Sequence, residues 1–238
     1  GLDEERLRSI KNRIEYLRNL EERKQEILRL IDKQDKLTEE LEEKINQATV
    51  LQEVEDLYRP YKQKRKTRAS KAKEKGLEPL AEIMWNQEIK KGNLEEIGKE
   101  YINPEKELTS LEDVYQGARD IIAEWISDNA EIRKKIRALT FNQANIKSLE
   151  KDIEKDEENN YEMYYDYKEA VDKIPPHRIL ALNRGEDEDI LQIKVQVSEE
   201  VVYSIIKEMI IDGSSLFYDQ LITAIKDSYN RLIGPSIV

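Results

Sequence analysis

Residues 1–33 read GLDEERLRSIKNRIEYLRNLEERKQEILRLIDK. Leu7, Ile10, Ile14 and Leu17 recur at intervals of three and four, and Leu20, Ile27, Leu28 and Ile31 extend the stripe. That spacing places the apolar side chains on one face of a helix and predicts a single long helix from about residue 3 to 33. Thr38 with Glu39 and Glu40 reads as an N-cap followed by acids at the positive end of the helix dipole. A shorter helix running back to about Ala48 then makes residues 1–50 a long helical hairpin.

Outward from the hairpin the pattern stays helical. Leu51, Val54, Leu57 and Tyr58 form a stripe that stops at Pro60. Gly76 reads as a helix stop and Pro79 as a first-turn residue of the next helix, which runs to about Gln87. Gly92 and Asn93 break the chain before a helix with Leu94 and Ile97. Thr109 with Glu112 reads as a capping box, and Ser127 or Asp128 as the cap of the helix with Ile132, Ile136 and Leu139. Residues 150–158 are acidic and expected to be exposed, and 161–167 are ambiguous between helix and strand. Pro175 and Pro176 precede a short helix at HRILALNRGE. Residues 190–197, ILQIKVQV, alternate apolar and polar side chains and are the best strand candidate, with no partner strand evident. Ser198 is expected to cap a helix that ends near Gly213, and a last helix carries Phe217, Leu221, Ile225, Tyr229 and Leu232.

The composition agrees with long exposed helices. Charged residues make up 38% of the 238, while Gly and Pro number only 8 and 6. The fold expected is all-α: an elongated multi-helix scaffold that starts with the hairpin and has at most a small β element near 190–197. No cysteine is present, which excludes a disulfide framework, a thiolate nucleophile and Cys-ligated zinc and suits the cytoplasm. No apolar run is long enough to span a bilayer, and the charged, amphipathic N-terminus is not a signal peptide, so no membrane role is expected. The helical pattern already running at Gly1, with no initiator Met, suggests a piece of a longer protein.

Net charge is -11, but its distribution is uneven. Residues 59–75 hold nine cations and one acid, Glu74, for +8, leaving 31 basic against 50 acidic residues elsewhere. Cations at this density can neutralise phosphates of RNA or DNA without reading sequence. The candidate phosphate contacts are Lys62, Lys64, Arg65, Lys66, Arg68, Lys71 and Lys73, and the candidate stacking residues are Tyr58 and Tyr61. The competing reading pairs these cations with acidic helices and makes both tyrosines packing residues.

Little else points to chemistry, and no catalytic residue, metal or cofactor is expected. His177 is the one histidine, without Cys and without identifiable partners for general-base work; its ring is expected to bond to backbone. Asp156–Glu158 and Asp187–Asp189 read as solvated loops because the Ca²⁺-loop spacing with its Gly is missing. No G-x-G-x-x-G or Walker-type loop offers a nucleotide cradle, so no small-molecule substrate is expected. Tyr161, Tyr164, Tyr165 and Tyr167 read as packing residues, and Arg178 and Arg184 as ion-paired residues of the fold.

Four blocks in order carry a family resemblance: LYRPYKQKRKTRA with AKEKGLEPLA (57–69 and 72–81), GARDIIAEWISDNAEIR (117–133), YYDYKEAVDKIPPHRILALNRGE (164–186) and the opening GLDEERLRSIKNRIEYLRNLEERK, with YNRLIGPSI near the end. Together they resemble the Tex family of bacterial transcription accessory proteins over nearly the whole chain. The resemblance implies a helix-turn-helix-like segment upstream of Gly1. Downstream of Val238 it implies a YqgF-type RNase H-like domain, a helix-hairpin-helix pair and an S1 domain, to which the family's nucleic-acid binding is mostly credited. It also implies partners in nucleic acid and the transcription machinery. On this reading the chain divides into the hairpin (1–50), a helical core with the basic run (51–160) and a second helical part with a short strand (161–238). It is a non-catalytic scaffold whose basic run is an accessory phosphate contact. The alternative is a scaffold that docks other domains or the transcription machinery without binding nucleic acid itself.

Overall fold

The computed structural model describes residues 4–63 and 65–237. The elements are α1 (Glu4–Asp32), α2 (Glu39–Gln47), α3 (Leu51–Tyr58), α4 (Arg68–Glu74), α5 (Glu78–Asn86), α6 (Leu94–Lys99), α7 (Leu111–Asp128), α8 (Ala130–Gln143), β1 (Asn145–Glu150), β2 (Asp166–Ala170), α9 (Pro176–Asp187), β3 (Leu191–Gln196), α10 (Glu199–Ile210), α11 (Tyr218–Asp227) and α12 (Gly234–Ile237). A π-helical segment, Ser228–Ile233, joins the last two. The chain is therefore mostly helical with one small antiparallel sheet in the order β2-β1-β3. None of the described helices is long and apolar enough to cross a membrane.

Caps decide most helix boundaries. Thr38 starts α2 by accepting the Leu41 N–H at 3.2 Å. The box expected at Thr109/Glu112 sits one residue later, at Ser110 and Asp113, because the Asp113 carboxylate reaches both the Ser110 N–H and its hydroxyl. The α8 cap is Asn129, whose side chain accepts from the Ile132 N–H, rather than Ser127 or Asp128. Gly76, at φ 89°, closes α4 with a bond from the Leu77 N–H back to the Ala72 carbonyl.

Three apolar clusters organise the chain. The hairpin cluster holds Leu20, Ile27, Leu28 and Ile31 of α1 with Ile45, Val54 and Tyr58. The main core runs from Ala69 to Leu139 and resumes at Val202 through Ile233, with Phe217, Ile121, Ile122 and Ile126 fully buried. A satellite cluster of Tyr161, Tyr164, Ile174, Leu182, Ile190 and Leu191 lies under the sheet. Helix α3 packs with the hairpin, and α10 and α11 return to α8 and α7.

The sheet supplies the partner that the 190–197 strand lacked. Lys147 of β1 stands opposite Lys168 of β2 and Lys194 of β3. The acidic stretch 150–158 is exposed as expected, apart from the half-buried Asp152 and the buried Asp156. Asp156 is buried and accepts from the N–H groups of Asn160 and Tyr161 and from the Tyr165 hydroxyl. Burial alone raises the Asp156 pKa, but those three donors hold it below the ordinary carboxylate value. Gly185 lets α9 lie close to β3: a Cβ there meets Leu191 Cδ1 at 2.6 Å and Tyr161 Cδ1 at 3.0 Å. Gly185→Ala therefore overpacks this contact by about 1–3 kcal/mol, against a gain of about 1 kcal/mol in helix propensity. A lower urea midpoint is the expected result; an unchanged or raised midpoint shows that Leu191 yields freely.

Candidate nucleic-acid interface

The basic run is not a loop throughout. Thr67 and Ser70 form a reciprocal capping box, each side chain accepting from the other's backbone N–H at 2.9 Å, and this box starts α4. Ala69 and Ala72 then face the core, where α4 packs on α7. Arg68 and Lys71 of α4 are exposed, as are Lys62, Arg65 and Lys66 on the segment leading in. Lys64 lies outside the described residues.

The eight described cations of the run divide into two groups. Arg59 faces Asp128 at 3.4 Å, Lys66 faces Glu74 at 4.0 Å, Lys73 pairs with Glu78 at 2.6 Å and Lys75 with Glu107 at 3.0 Å. Lys73 also lies 5.7 Å from the Trp125 ring centroid. The three lysine pairs are exposed and contribute little stability but do compete for the ammonium group. Among the described residues, Lys62, Arg65, Arg68 and Lys71 have no carboxylate within 4 Å. Carboxylate pairing thus accounts for Arg59, Lys66, Lys73 and Lys75 and leaves the other four described cations without such a partner.

A groove between α4 and α7 carries Arg68, Lys71 and Lys75 on one wall and Glu112, Asp113 and Asp120 on the other. Burial raises the Asp120 pKa, with Arg231 partly opposing. The groove is thus electrostatically mixed.

The two tyrosines differ. Tyr58 is 8% exposed, set in the hairpin cluster with the Arg23 guanidinium 5.7 Å from its ring centroid, so packing accounts for it and no face is open to a base. Tyr61 is half-buried against the same cluster, and its carbonyl accepts from Gln34 at 3.0 Å.

Beside the run lies a connection that the sequence reading missed. Arg133 of α8, 2% exposed, donates from Nε to Asp56 Oδ1 of α3 at 2.9 Å and from a terminal nitrogen to Ser236 Oγ of α12 at 3.0 Å. Arg137 donates to the other Asp56 oxygen at 2.8 Å. Burial, with Arg59 nearby, lowers the Arg133 pKa. The hairpin, the core and the C-terminal helix meet at this network. An acid on a stripe's edge and an arginine in the first turn of a helix give no sequence signal that they will be buried together.

Elsewhere, His177 is exposed in the first turn of α9, and its ring has no hydrogen-bond partner among the described residues, contrary to the backbone bond expected of it. Arg178 pairs with Glu169 at 3.0 Å. Asp189 pairs with Lys151 and with Lys155, which hold its pKa down to about 2. Among the described residues no group of three or more His, Asp or Glu side chains is placed to hold a metal ion.

Fold and surface define a mostly helical chain with a basic stretch at residues 59–75. The profile of a family described as Tex central region-like matches residues 90–220. The chain belongs to the Tex family. It is 47% identical to the uncharacterized protein YdcI of Bacillus subtilis over its whole length, which is 33% of that protein. It is 35% identical to the transcriptional accessory protein Tex of Neisseria gonorrhoeae, over 82% of this chain and 25% of that one. It is 28% identical to the human S1 RNA-binding domain-containing protein 1, over 84% of this chain and 20% of that one. The chain thus spans about a third or less of the length of these relatives.

Proposed function

We propose that this chain is the non-catalytic helical scaffold of a cytoplasmic Tex-like transcription accessory protein, and that it makes an accessory, sequence-independent contact with RNA or DNA phosphates. The contacts are Lys62, Arg65, Arg68 and Lys71, with Lys64 from the same stretch and Lys66 and Lys73 in a lesser, carboxylate-shared role. Its parts are the hairpin, a helical core carrying the basic run, and a distal part with the small sheet. The observation that carries this reading is the row of exposed cations with no carboxylate within 4 Å on a chain that is otherwise strongly acidic.

A filter-binding salt titration tests it. Four phosphate contacts give a log–log salt slope of roughly -3 to -4, and reversing Lys62, Arg65, Arg68 and Lys71 to Glu lowers affinity at about 50 mM salt at least tenfold. No binding by the parent chain at that salt, or binding unchanged by the reversals, sinks the claim.

One observation favours a protein-docking role as a second reading. Leu7, Ile10, Ile14 and Leu17 are 52%, 47%, 44% and 43% exposed along the first half of α1. Recovery of polymerase on the chain after nuclease treatment, lost on replacing these four by Ser, is the result this reading expects.

A further inference from the structure

The sheet has two unlike faces. Ile146, Tyr167, Ile193 and Leu191 turn toward the satellite cluster and α9. On the other face the register aligns Lys168, Lys147 and Lys194 in one row across all three strands. Directly opposed residues on adjacent antiparallel strands share a face, with strands about 4.8 Å apart, so the row is about 10 Å long. Lys168 and Lys194 are exposed and Lys147 is half-buried. None of the three has a carboxylate within 4 Å, although Asp166 lies one same-face position along β2. Like charges directly opposite one another destabilise a sheet. A row of three therefore breaks a local rule, with the single neighbouring carboxylate of Asp166 set against three ammonium groups, and such places are where function is to be sought.

We infer that the row formed by Lys147, Lys168 and Lys194 is a second polyanion-binding site, taking the phosphodiester backbone of a single-stranded nucleic acid laid across the strands. The same face carries Asn145, Gln192 and Gln196, which donate and accept hydrogen bonds, and only Leu149 as a sizeable apolar group. It lacks the apolar anchors that a peptide helix or a bilayer needs. It also lacks an aromatic ring, so it grips backbone and does not read bases. A bound phosphate chain relieves the repulsion that the fold otherwise carries. This site shares with the proposed function the reading that phosphate is the ligand, but none of its residues.

The test is fluorescence anisotropy of a labelled oligouridylate against salt, using the 238-residue chain, the triple variant K147Q/K168Q/K194Q and a variant with Lys62, Arg65, Arg68 and Lys71 changed to Gln. The triple variant is expected to have a slope shallower by about 2 and affinity about tenfold lower at low salt, since each single-strand phosphate contact contributes about 0.7 to the slope. Its Tm is expected to be equal or higher, which separates lost binding from lost folding. If only the triple variant loses binding, this site stands and the basic run falls. If only the basic-run variant does, the run stands and this inference is overturned. A triple variant that keeps its oligouridylate slope but no longer binds polyglutamate makes the partner an acidic protein segment, which also overturns it. So does absence of oligouridylate binding by the parent chain at low salt.

Discussion

Asp56→Ala lowers the stability of this chain by about 3–5 kcal/mol, the cost of leaving a buried charge without its partner. Asp56 is 3% exposed and receives Arg133 on one oxygen and Arg137 on the other. Removing it strands the Arg133 guanidinium, which keeps only the Ser236 hydroxyl and a long 3.4 Å contact to the Ser127 carbonyl. The Arg137 side chain is 32% exposed and can rehydrate, so the penalty concentrates on the buried Arg133. Urea unfolding followed by circular dichroism measures it. The double variant Asp56→Leu/Arg133→Met is expected to recover most of the loss, because an apolar pair of similar volume avoids the desolvation of both charges. A single-variant cost below about 1 kcal/mol, the range of exposed ion pairs, refutes the claim that this network joins the hairpin to the core.

Phe217→Ala costs about 3–5 kcal/mol, the sum of lost transfer free energy and a cavity that the surroundings only partly fill. Phe217 is fully buried in the main core, and its carbonyl accepts the Leu221 N–H that opens α11. The loss is one of packing, so Phe217→Leu is expected to retain most of the stability, at a cost below about 1.5 kcal/mol. Calorimetry distinguishes the two. Equal losses for Leu and Ala imply that the aromatic ring has a specific partner rather than simply filling volume.

How far the sequence could be read depended on whether the deciding interactions were local. The hairpin was legible because Leu20, Ile27, Leu28 and Ile31 sit at helical spacing and Thr38 is a local cap. Strand 191–196 was legible from its alternation, but β1 was not. Asn145–Glu150 has no clean period, because its one fully buried residue is Ser148. Helix α4 was hidden in the basic run, though Thr67, Ser70, Ala69 and Ala72 carried its signal: a cap and a small-residue face against α7. The capping boxes were off by one or two residues because several hydroxyl and carboxylate side chains compete at those turns, and only backbone geometry selects among them.

The amino-acid sequence by itself determined the helical class, the family blocks and the concentration of charge in 59–75, since these depend on composition and on spacings of a few residues. Which cations are free was decided by tertiary structure. Lys73 and Lys75 lose their freedom to Glu78 and Glu107, while Lys62, Arg65, Arg68 and Lys71 keep theirs. The Lys168–Lys147–Lys194 row likewise comes into being only when three strands distant in the chain pair in register. Electrostatic contact falls off over a few ångströms, and sequence separation does not measure that distance.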